Sequence, residues 1–424
     1  MLKRMRIIQV GDIHLPGACK TRSFADDKDA RFPRELKTVI ADIPIKIVLR
    51  KIYELISRDR VDAILFMGDL TDYGQLEGYE ACVSYISRSL QLGTKGIFSN
   101  LQVGILPGNH DISRELAKAP GNVTKFTPLQ RSLSDVGLPQ LPIQLPIRMK
   151  LLNEGRAATI ALLNSCWGCG SAEYIPEEFR AGVSEAIEMA IKDGSNKKST
   201  EAYYERQFDT PAFTDETIQS ISNEYSDNAD SSILLVCAHH NLLPQRQPRL
   251  APYTELVNSG ALRDVLTSLK RPVIYLHGHI HDDPVEIISQ PDSDPLICIS
   301  APLITDGFNV IDLTFTRTGA PLGCHLNRWR LDNTGTIRMH QAIVLPLIGR
   351  RRRSHDRALS RLYSFILDER EVYWSELLAK ASEIYTTEVE EQVVEAIELL
   401  SADGRIKIDN YDRSPANWII GAGL

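Results

Sequence analysis

The sequence predicts an α/β fold for most of the chain, followed by a small separate module. Short apolar runs rich in β-branched residues recur along the first three quarters of the sequence, and each ends abruptly in polar residues. Segments with apolar residues at three- and four-residue spacing lie between these runs, which is typical of helices packed on a sheet. With 424 residues, 43% of them hydrophobic, the chain can fill a large core.

The predicted strands are nearly continuous in apolar residues, as expected for strands that are buried on both faces. They cover residues 5–10, 62–67, 101–106, 158–163, 232–237 and 272–277. Residues 43–59 and 79–91 have helical periodicity and precede the second and third strands. After His281 the pattern becomes β-rich, with strands predicted in 295–304, 308–315 and a hairpin of 325–332 and 336–344.

Composition divides the chain into two domains joined by a linker. Residues 1–345 form the predicted α/β domain, and the Pro- and Arg-rich residues 346–357 are the predicted linker. Residues 358–424 contain three amphipathic segments and a short terminal hairpin, the order of a winged-helix fold. Two polar segments of the first domain, 19–38 and 193–231, are predicted to be irregular loops or local caps.

Net charge and cysteine content limit the classes of substrate and the cellular compartment that we expect. A net charge of -7 and a pI near 5.9 give no general attraction to nucleic acid or to an anionic membrane, so a phosphate-bearing substrate would have to be held locally. The seven cysteines form no disulfide framework, which indicates a reducing cytoplasm. No apolar run is long enough to span a membrane, so we expect a soluble cytoplasmic protein with no membrane partner.

Five predicted strands end in residues that can bind metal ions. The carboxyl ends of strands in an open α/β sheet form a crevice where ligands bind, so these residues are expected to converge. Asp, His and Asn donors without cysteine suit Mn, Fe, Zn, Ni or Co. Taken alone, the alternate histidines 277, 279 and 281 could equally be ordinary half-buried strand residues. The five strand-end motifs are Gly11-Asp12-Ile13-His14, Gly68-Asp69-Leu70-Thr71-Asp72, Pro107-Gly108-Asn109-His110-Asp111, Ala238-His239-His240-Asn241 and His277-Gly278-His279-Ile280-His281.

These motifs, read as DIH, GDLTD, GNHD, AHHN and GHIH, resemble those of the calcineurin-like metallophosphoesterase superfamily and occur in that family's order. The resemblance implies a four-layer αββα sandwich followed by the winged-helix-like module. It also implies two divalent metal ions, with manganese favoured over iron, zinc, nickel or cobalt. In such a centre the metals polarise the phosphoryl group, and a hydroxide that bridges them is the nucleophile.

The resemblance assigns a role to each matching residue. Asp12, His14 and His281 are expected to bind one metal, and Asp69 to bridge both. The expected ligands of the other metal are Asn109, His239 and His279. His110 is expected to stabilise phosphoryl charge and to protonate the leaving group, with Asp72 orienting it.

Several neighbouring residues have less specific interpretations. His277 is expected to pack behind the ligands. His240, Asn241 and Trp167 are candidates for substrate contact, although a structural role is favoured for His240. Cys166 and Cys169 form a CxxC pair, but no second such pair accompanies it, so we interpret it as incidental.

The sequence leaves the substrate open. GDLTD, with Asp72, resembles the phosphodiesterases of the superfamily, whereas chain length, AHHN and the appended module resemble its DNA-repair exo- and endonucleases. The favoured prediction is a phosphodiesterase acting on a nucleotide or nucleic-acid phosphodiester; the GNHE-type signature of the protein phosphatases is missing, since Asp111 follows His110.

A regulatory or scaffolding subunit that acts through its C-terminal module is the alternative from another class. Acidic residues outnumber basic ones in that module, and its third helical segment would be repelled by phosphates. A protein partner or self-association is therefore favoured over DNA for the module.

Overall fold

The computed structural model describes most of the chain in a series of segments. They are residues 4–15, 44–71, 76–98, 100–113, 115–118, 121–153, 156–171, 173–175, 177–178, 180–182, 185, 210–225, 233–244, 255–269, 271–290, 294–315, 319, 321–340, 342–347, 357–387, 389–410 and 413–423. The predicted loop 19–38 and Asp72 lie outside these segments, as does most of the predicted linker.

Strands and helices alternate through the first domain. In chain order, the elements up to residue 346 are β1 (Arg4–Val10), α1 (Pro44–Arg58), β2 (Ala63–Phe66), α2 (Leu76–Leu90), β3 (Gln102–Ile105), α3 (Thr127–Asp135), β4 (Ile147–Asn153), β5 (Arg156–Leu162), α4 (Asp215–Tyr225), β6 (Ile233–Cys237), α5 (Ser259–Ser268), β7 (Val273–His277), β8 (Val285–Ile288), β9 (Leu296–Ser300), β10 (Gly307–Phe315), β11 (Pro321–Leu331), β12 (Ile337–Met339) and β13 (Ile343–Pro346).

The strands form two sheets. The first has the order β12-β11-β10-β1-β2-β3, with β13 also paired to β11, and the second has the order β4-β5-β6-β7-β9-β8. Strands β1, β2 and β3 are parallel, as are β5, β6, β7 and β9. The parallel strands of each sheet therefore present their carboxyl ends along one edge.

The two sheets pack face to face with helices on both outer surfaces. One buried cluster joins side chains of both sheets, such as Ile7 and Leu65 from the first with Ile160 and Leu235 from the second. A second cluster lies between the first sheet and helices α1, α2 and α3, and a third lies between the second sheet and α4 and α5. The predicted four-layer αββα sandwich is confirmed.

Helix α1 shows why the pattern predicts this packing. Its apolar side chains recur at the spacing of one helical face, and that face is buried against the first sheet. The opposite face carries the charged residues. The buried side chains of α1 are Ile45, Val48, Leu49, Ile52 and Ile56.

The prediction of an irregular segment at 193–231 is wrong for its C-terminal part, because residues 215–225 form helix α4. Thr217, Ile221 and Tyr225 of this helix are buried, and their four-residue spacing is an apolar stripe inside an otherwise polar sequence. Residues 193–209 and 226–231 lie outside the described segments.

The C-terminal module has its own buried core. Its elements are α6 (Arg357–Glu369), β14 (Glu371–Tyr373), α7 (Trp374–Ala381), α8 (Val389–Ala402), β15 (Ile406–Asp409) and β16 (Ile419–Ala422). The strands pair in the order β14-β16-β15, and Trp374 and Trp418 meet edge to face inside the module. Helix α8 also lies beside β11 and β13 of the first domain. None of the described helices is long and apolar enough to cross a membrane.

Candidate active site

The five predicted motifs lie directly after five parallel strands, three in the first sheet and two in the second. Backbone hydrogen bonds tie neighbouring loops together: the amides of Ile13 and His14 both donate to the carbonyl of Asp69, at 2.9 Å each. In the second sheet the amide of Gly278 donates to the carbonyl of His239, at 3.0 Å. The loops therefore form one connected rim along the sandwich.

Several predicted ligands have an unusual backbone conformation. His14, Asp69, His279 and His281 have φ angles of 45°, 48°, 69° and 56°. A non-glycine residue with positive φ costs about 1–3 kcal/mol, and such residues cluster at functional sites. The left-handed turns direct these four side chains towards the space between the loops.

Two glycines allow the loops to approach the buried carboxylates. A Cβ atom at Gly108 would overlap the Asp69 carboxylate, and one at Gly278 would overlap Oδ1 of Asp12. Because glycine has no Cβ atom, the loops come close enough for two backbone hydrogen bonds. The amide of His110 donates to Asp69 Oδ1 at 2.8 Å, and the amide of His279 donates to Asp12 Oδ2 at 3.0 Å. Both carboxylates are thereby oriented by backbone groups.

Asp12, His14 and His281 form one group of donor atoms. The Nε2 atom of His281 lies 3.0 Å from Asp12 Oδ2 and 3.0 Å from Nε2 of His14. One atom from each of the three residues lies within 4.8 Å of the other two, which is close enough for a single cation. This is the trio that the resemblance assigns to one metal.

Asp69, Asn109 and His239 form a second group deeper in the protein. His239 Nε2 lies 3.2 Å from Asp69 Oδ2 and 3.1 Å from Asn109 Oδ1. Its Nδ1 donates to the carbonyl of Met67 at 2.8 Å, which directs Nε2 towards the carboxylate. The His279 ring lies beside that of His239, with centroids 5.1 Å apart.

Asp69 stands between the two groups. Its Oδ2 atom, 3.2 Å from His239 Nε2, is also 3.8 Å from His14 Nε2. Asp69 is 1% exposed, so its carboxylate faces both sets of donors and not solvent. This is the position expected of a bridging ligand.

Charges at the site favour a cation. Burial raises the pKa of Asp69, but the positive charges of His239 and His110 outweigh it and hold that pKa well below its usual range. Burial lowers the pKa of His239, but the carboxylates of Asp69 and Asp12 and the hydrogen bond to the Met67 carbonyl together raise it, to about 10. The buried carboxylates thus attract positive charge, and the donor set fits divalent metal ions.

His110 lies at the half-buried side of the site. Its ring meets that of His14 edge to face with centroids 4.7 Å apart, and its carbonyl accepts the hydroxyl hydrogen of Thr71 at 3.0 Å. A group formed by His14, Asp69 and His110 also falls within 4.8 Å. The structure therefore brings His110 next to the predicted metal ligands, while its predicted partner Asp72 lies outside the described segments.

Asp111 is a residue whose role the sequence analysis missed. It is 1% exposed, and its Oδ1 accepts the amide hydrogen of Thr71 at 2.9 Å, while its Oδ2 accepts that of Gly108 at 2.9 Å. Burial and the charge of Asp69 raise the pKa of Asp111 to about 7. Its carboxylate joins the loops that carry Asp69 and Asn109.

Asp283 and Arg330 support the loop that carries His281. The Nε of Arg330 donates to Asp283 Oδ2 at 3.2 Å, and its Nη2 donates to the same oxygen and to Asn309 Oδ1, the latter at 2.8 Å. Its Nη1 donates to the carbonyl of Phe308 at 2.8 Å. The pair is invisible in a sequence pattern because 47 residues separate its members.

The remaining sequence candidates lie around the ligands. His277 is buried with its Nδ1 donating to the Gly278 carbonyl at 3.1 Å, and burial lowers its pKa to about 4. His240 is buried beside Ser165. Asn241 is also buried, and its side-chain Nδ2 donates to the Leu243 carbonyl at 2.5 Å. Trp167 is half-buried against the helical side of the first sheet.

Residues 5–162 match the profile of the calcineurin-like phosphoesterase family. This segment includes nearly all of β1, strands β2 to β5 and four of the predicted ligands. It confirms the family resemblance of the DIH, GDLTD and GNHD motifs, and the AHHN and GHIH motifs lie beyond it. Over these residues the chain is similar to calcineurin-like phosphoesterases. Together with the clustered Asp and His donors, this supports a metal-dependent phosphoester hydrolase.

The solved structures that match this chain do so with low sequence identity and low TM-scores. The 5'-nucleotidase precursor of Thermus thermophilus is 12% identical over 76% of this chain and 54% of that one, with a TM-score of 0.37. Purple acid phosphatase PPD1 of yellow lupin (Lupinus luteus) is 12% identical over 80% and 53%, with a TM-score of 0.41. The NAD nucleotidase of Haemophilus influenzae is 10% identical over 96% and 61%, with a TM-score of 0.39.

The chain spans between half and two thirds of the length of these three proteins. Similarity at this level carries no inference about substrate. A comparison with curated protein sequences finds no match.

Proposed function

We propose that this chain is a phosphodiesterase that uses two divalent metal ions to hydrolyse a nucleotide or nucleic-acid phosphodiester. The observation that carries the proposal is the buried carboxylate of Asp69, whose Oδ2 faces Nε2 of both His14 and His239. Each histidine belongs to a different donor group, so one oxygen serves both groups. A shared carboxylate is the feature that a two-metal centre requires.

The protein residues have distinct tasks in this proposal. Asp12, His14 and His281 hold one ion, Asn109, His239 and His279 hold the other, and Asp69 is shared. When bound, the metal ions withdraw charge from the phosphoryl group and activate water at neutral pH.

His110 is proposed to act on the substrate itself. Its ring adjoins that of His14 on the half-buried side of the site, where a phosphoryl oxygen would approach. Held there, a protonated imidazole stabilises negative charge and donates its Nε2 or Nδ1 proton to the departing alkoxide. Asp72 is proposed to orient His110 and favour its protonated form.

The proposed preference for diesters rests on the GDLTD motif. The proposed choice of metal rests on the types of donor atom at the site. Imidazole and carboxylate donors suit manganese, and also iron, zinc, nickel and cobalt. We expect hydrolysis of bis-p-nitrophenyl phosphate to exceed that of p-nitrophenyl phosphate, and manganese to restore activity after chelation. Hydrolysis of a cyclic nucleotide, of single-stranded DNA and of double-stranded DNA is measured in the same way. The preferred substrate distinguishes an enzyme for signalling nucleotides from a nuclease.

Three variants test the assignment. Asp69→Ala removes the shared carboxylate and is expected to lose bound metal and activity together, whereas His110→Ala is expected to retain metal and lose turnover. Asp135→Ala, an exposed aspartate at the end of α3, serves as the control and keeps both. Diester turnover that survives in Asp69→Ala would rule out the two-metal mechanism.

A regulatory role for the C-terminal module is compatible with this activity. Its order of helix, strand, two helices and two strands supports the proposed winged-helix-like fold. Helix α8 lies beside β11 and β13 and buries Glu398, so this acidic helix contacts the catalytic domain itself. The contact favours a module that acts on its own catalytic domain or on a protein partner over one that inserts α8 into DNA.

A further inference from the structure

Cys166, Cys169 and His240 form a buried donor cluster beside the hydrolytic centre. One donor atom from each residue lies within 4.8 Å of the other two, and Sγ of Cys166 is 4.0 Å from Nδ1 of His240. All three residues are at most 1% exposed. The cluster contains two thiols, a donor type that the hydrolytic centre lacks.

The CxxC segment is a turn held by several hydrogen bonds. The amide of Cys169 donates to the carbonyl of Cys166 at 3.1 Å, and the amide of Cys166 donates to Asn164 Oδ1 at 2.9 Å. The Nζ atom of Lys125, which is fully buried, donates to the carbonyls of Trp167 and Cys169 at 2.5 and 2.7 Å. These bonds fix both cysteine backbones, so the thiols are preorganised.

His240 is fixed from the opposite side. Its amide donates to Ser165 Oγ at 3.1 Å, and its carbonyl accepts the hydroxyl hydrogen of Tyr275 at 2.8 Å. Ser165 Oγ also lies 2.9 Å from the same Nδ1 atom that faces Cys166. Two sulfurs and one imidazole nitrogen therefore lie close together among buried residues, with the Ser165 hydroxyl beside the imidazole.

The charges of the two thiolates and the types of donor atom together favour a divalent cation as the ligand of this cluster. Burial raises the pKa of the Cys166 thiol, so without a cation the thiol stays protonated. A divalent cation displaces the two thiol protons, and two thiolates then neutralise it, which avoids an unpaired buried charge. Two cysteines spaced as CxxC with a histidine suit a soft or borderline ion such as zinc.

We propose that Cys166, Cys169 and His240 bind a zinc-class divalent cation, with Ser165 Oγ or a water as fourth donor, at a site separate from the hydrolytic centre. This corrects the interpretation of the CxxC pair as incidental. The cation links the CxxC turn to the loop after β6, because His240 follows the predicted ligand His239. The ring of His240 also lies 4.4 Å from that of His279, centroid to centroid, so the cation braces two ligands of the hydrolytic centre.

Cobalt substitution of the full-length protein tests the site. Metal-free protein is prepared under reducing conditions and titrated with Co(II), and absorption is recorded together with bound metal per chain. The wild type is expected to develop a thiolate-to-cobalt charge-transfer band. Cys166→Ser and Cys169→Ser are expected to lose that band and one metal equivalent.

Two controls keep the result independent of hydrolysis and of folding. Cys298→Ser removes a buried thiol of β9 outside the cluster and is expected to keep the band. Asp69→Ala is also expected to keep it, even though the variant loses activity, so failure of the hydrolytic proposal is distinguishable from failure of this one.

The wild-type titration alone can overturn the proposal. If folded wild-type protein binds cobalt without any thiolate-to-cobalt band, the cysteines are not ligands and the site does not exist. A Cys166–Cys169 disulfide that resists strong reductants, shown by thiol counting on the denatured chain, would also overturn it.

Discussion

Replacing Asp111 tests whether one buried carboxylate joins the loops of the active site. In Asp111→Ala the amides of Thr71 and Gly108 lose their acceptor, since these amides donate to Oδ1 and Oδ2 respectively. The hydroxyl of Thr71 keeps a second acceptor in the carbonyl of His110, so it is not counted as a loss. Two buried N–H groups are therefore left without a partner.

The expected cost follows from those two groups. A buried donor without a partner costs about 1–3 kcal/mol, so Asp111→Ala is expected to lower the free energy of unfolding by about 2–6 kcal/mol. Removing a carboxylate that repels Asp69 offsets part of this loss, which favours the lower half of that range. Asp111→Asn keeps the shape and one acceptor oxygen, so its loss is expected to be about half as large.

Urea denaturation of chelator-treated protein measures these differences without a contribution from bound metal. Asp135→Ala, at an exposed aspartate, is the matched control and is expected to change stability by less than about 0.5 kcal/mol. A loss for Asp111→Ala no larger than that of the control would refute the role of Asp111 as the link between the two loops.

Three further substitutions address other supports of the structure. Gly108→Ala drives a Cβ atom into the Asp69 carboxylate and is expected to abolish stoichiometric metal binding, measured by metal content after gel filtration. Arg330→Gln removes the ion pair with Asp283 and is expected to weaken metal affinity about 10–100-fold by isothermal titration, because it releases a support of a ligand loop. Trp418→Ala empties the core of the C-terminal module and is expected to cost about 3–5 kcal/mol in thermal or urea unfolding.

Each of these has a matched control, of the same residue type for the glycine and the arginine and another aromatic residue for Trp418. Gly260→Ala adds a methyl group where nothing lies within 4 Å, Arg338→Gln alters an arginine whose side chain is 68% exposed, and Tyr373→Ala truncates an aromatic that is 53% exposed. A control that behaves like its partner would show that the effect does not come from the named contact.

Sequence patterns predicted the strands that are buried on both faces and the hairpin after β10, but they missed β4, β8 and β14. Residues 233–237 and 273–276 carry only apolar or aromatic side chains, and all of them are buried, as expected for strands covered on both faces. Strand β4 is at a sheet edge, where Arg148 and Lys150 interrupt its apolar residues, so it presents no continuous run. Strand β14 has three residues, too few for any periodicity.

At the candidate site, features formed by residues close in sequence could be predicted, and contacts between residues distant in sequence could not. The predicted ligands could be singled out because each lies within a few positions of the end of a strand, in most cases with a glycine between. The contacts that orient them could not be found, because Asp111 meets Thr71 across 40 residues and Arg330 meets Asp283 across 47. A carboxylate that orients backbone amides leaves no periodic or compositional signal in the sequence.

The strained loops depend on the rigid strands that precede them. Four of the predicted ligands have positive φ angles, each at a cost of about 1–3 kcal/mol, and the turns that carry them cannot relax while both ends are held. Strands β1, β2 and β7 hold one end of each of these three loops, and their core side chains are buried between the sheets or under the helices. The other ends of the loops, or side chains within the site, are held by hydrogen bonds to Asp111, Arg330 and the carbonyl of Met67. The geometry for metal binding therefore follows from the sandwich itself, since relaxation of any one loop would require a buried strand to move.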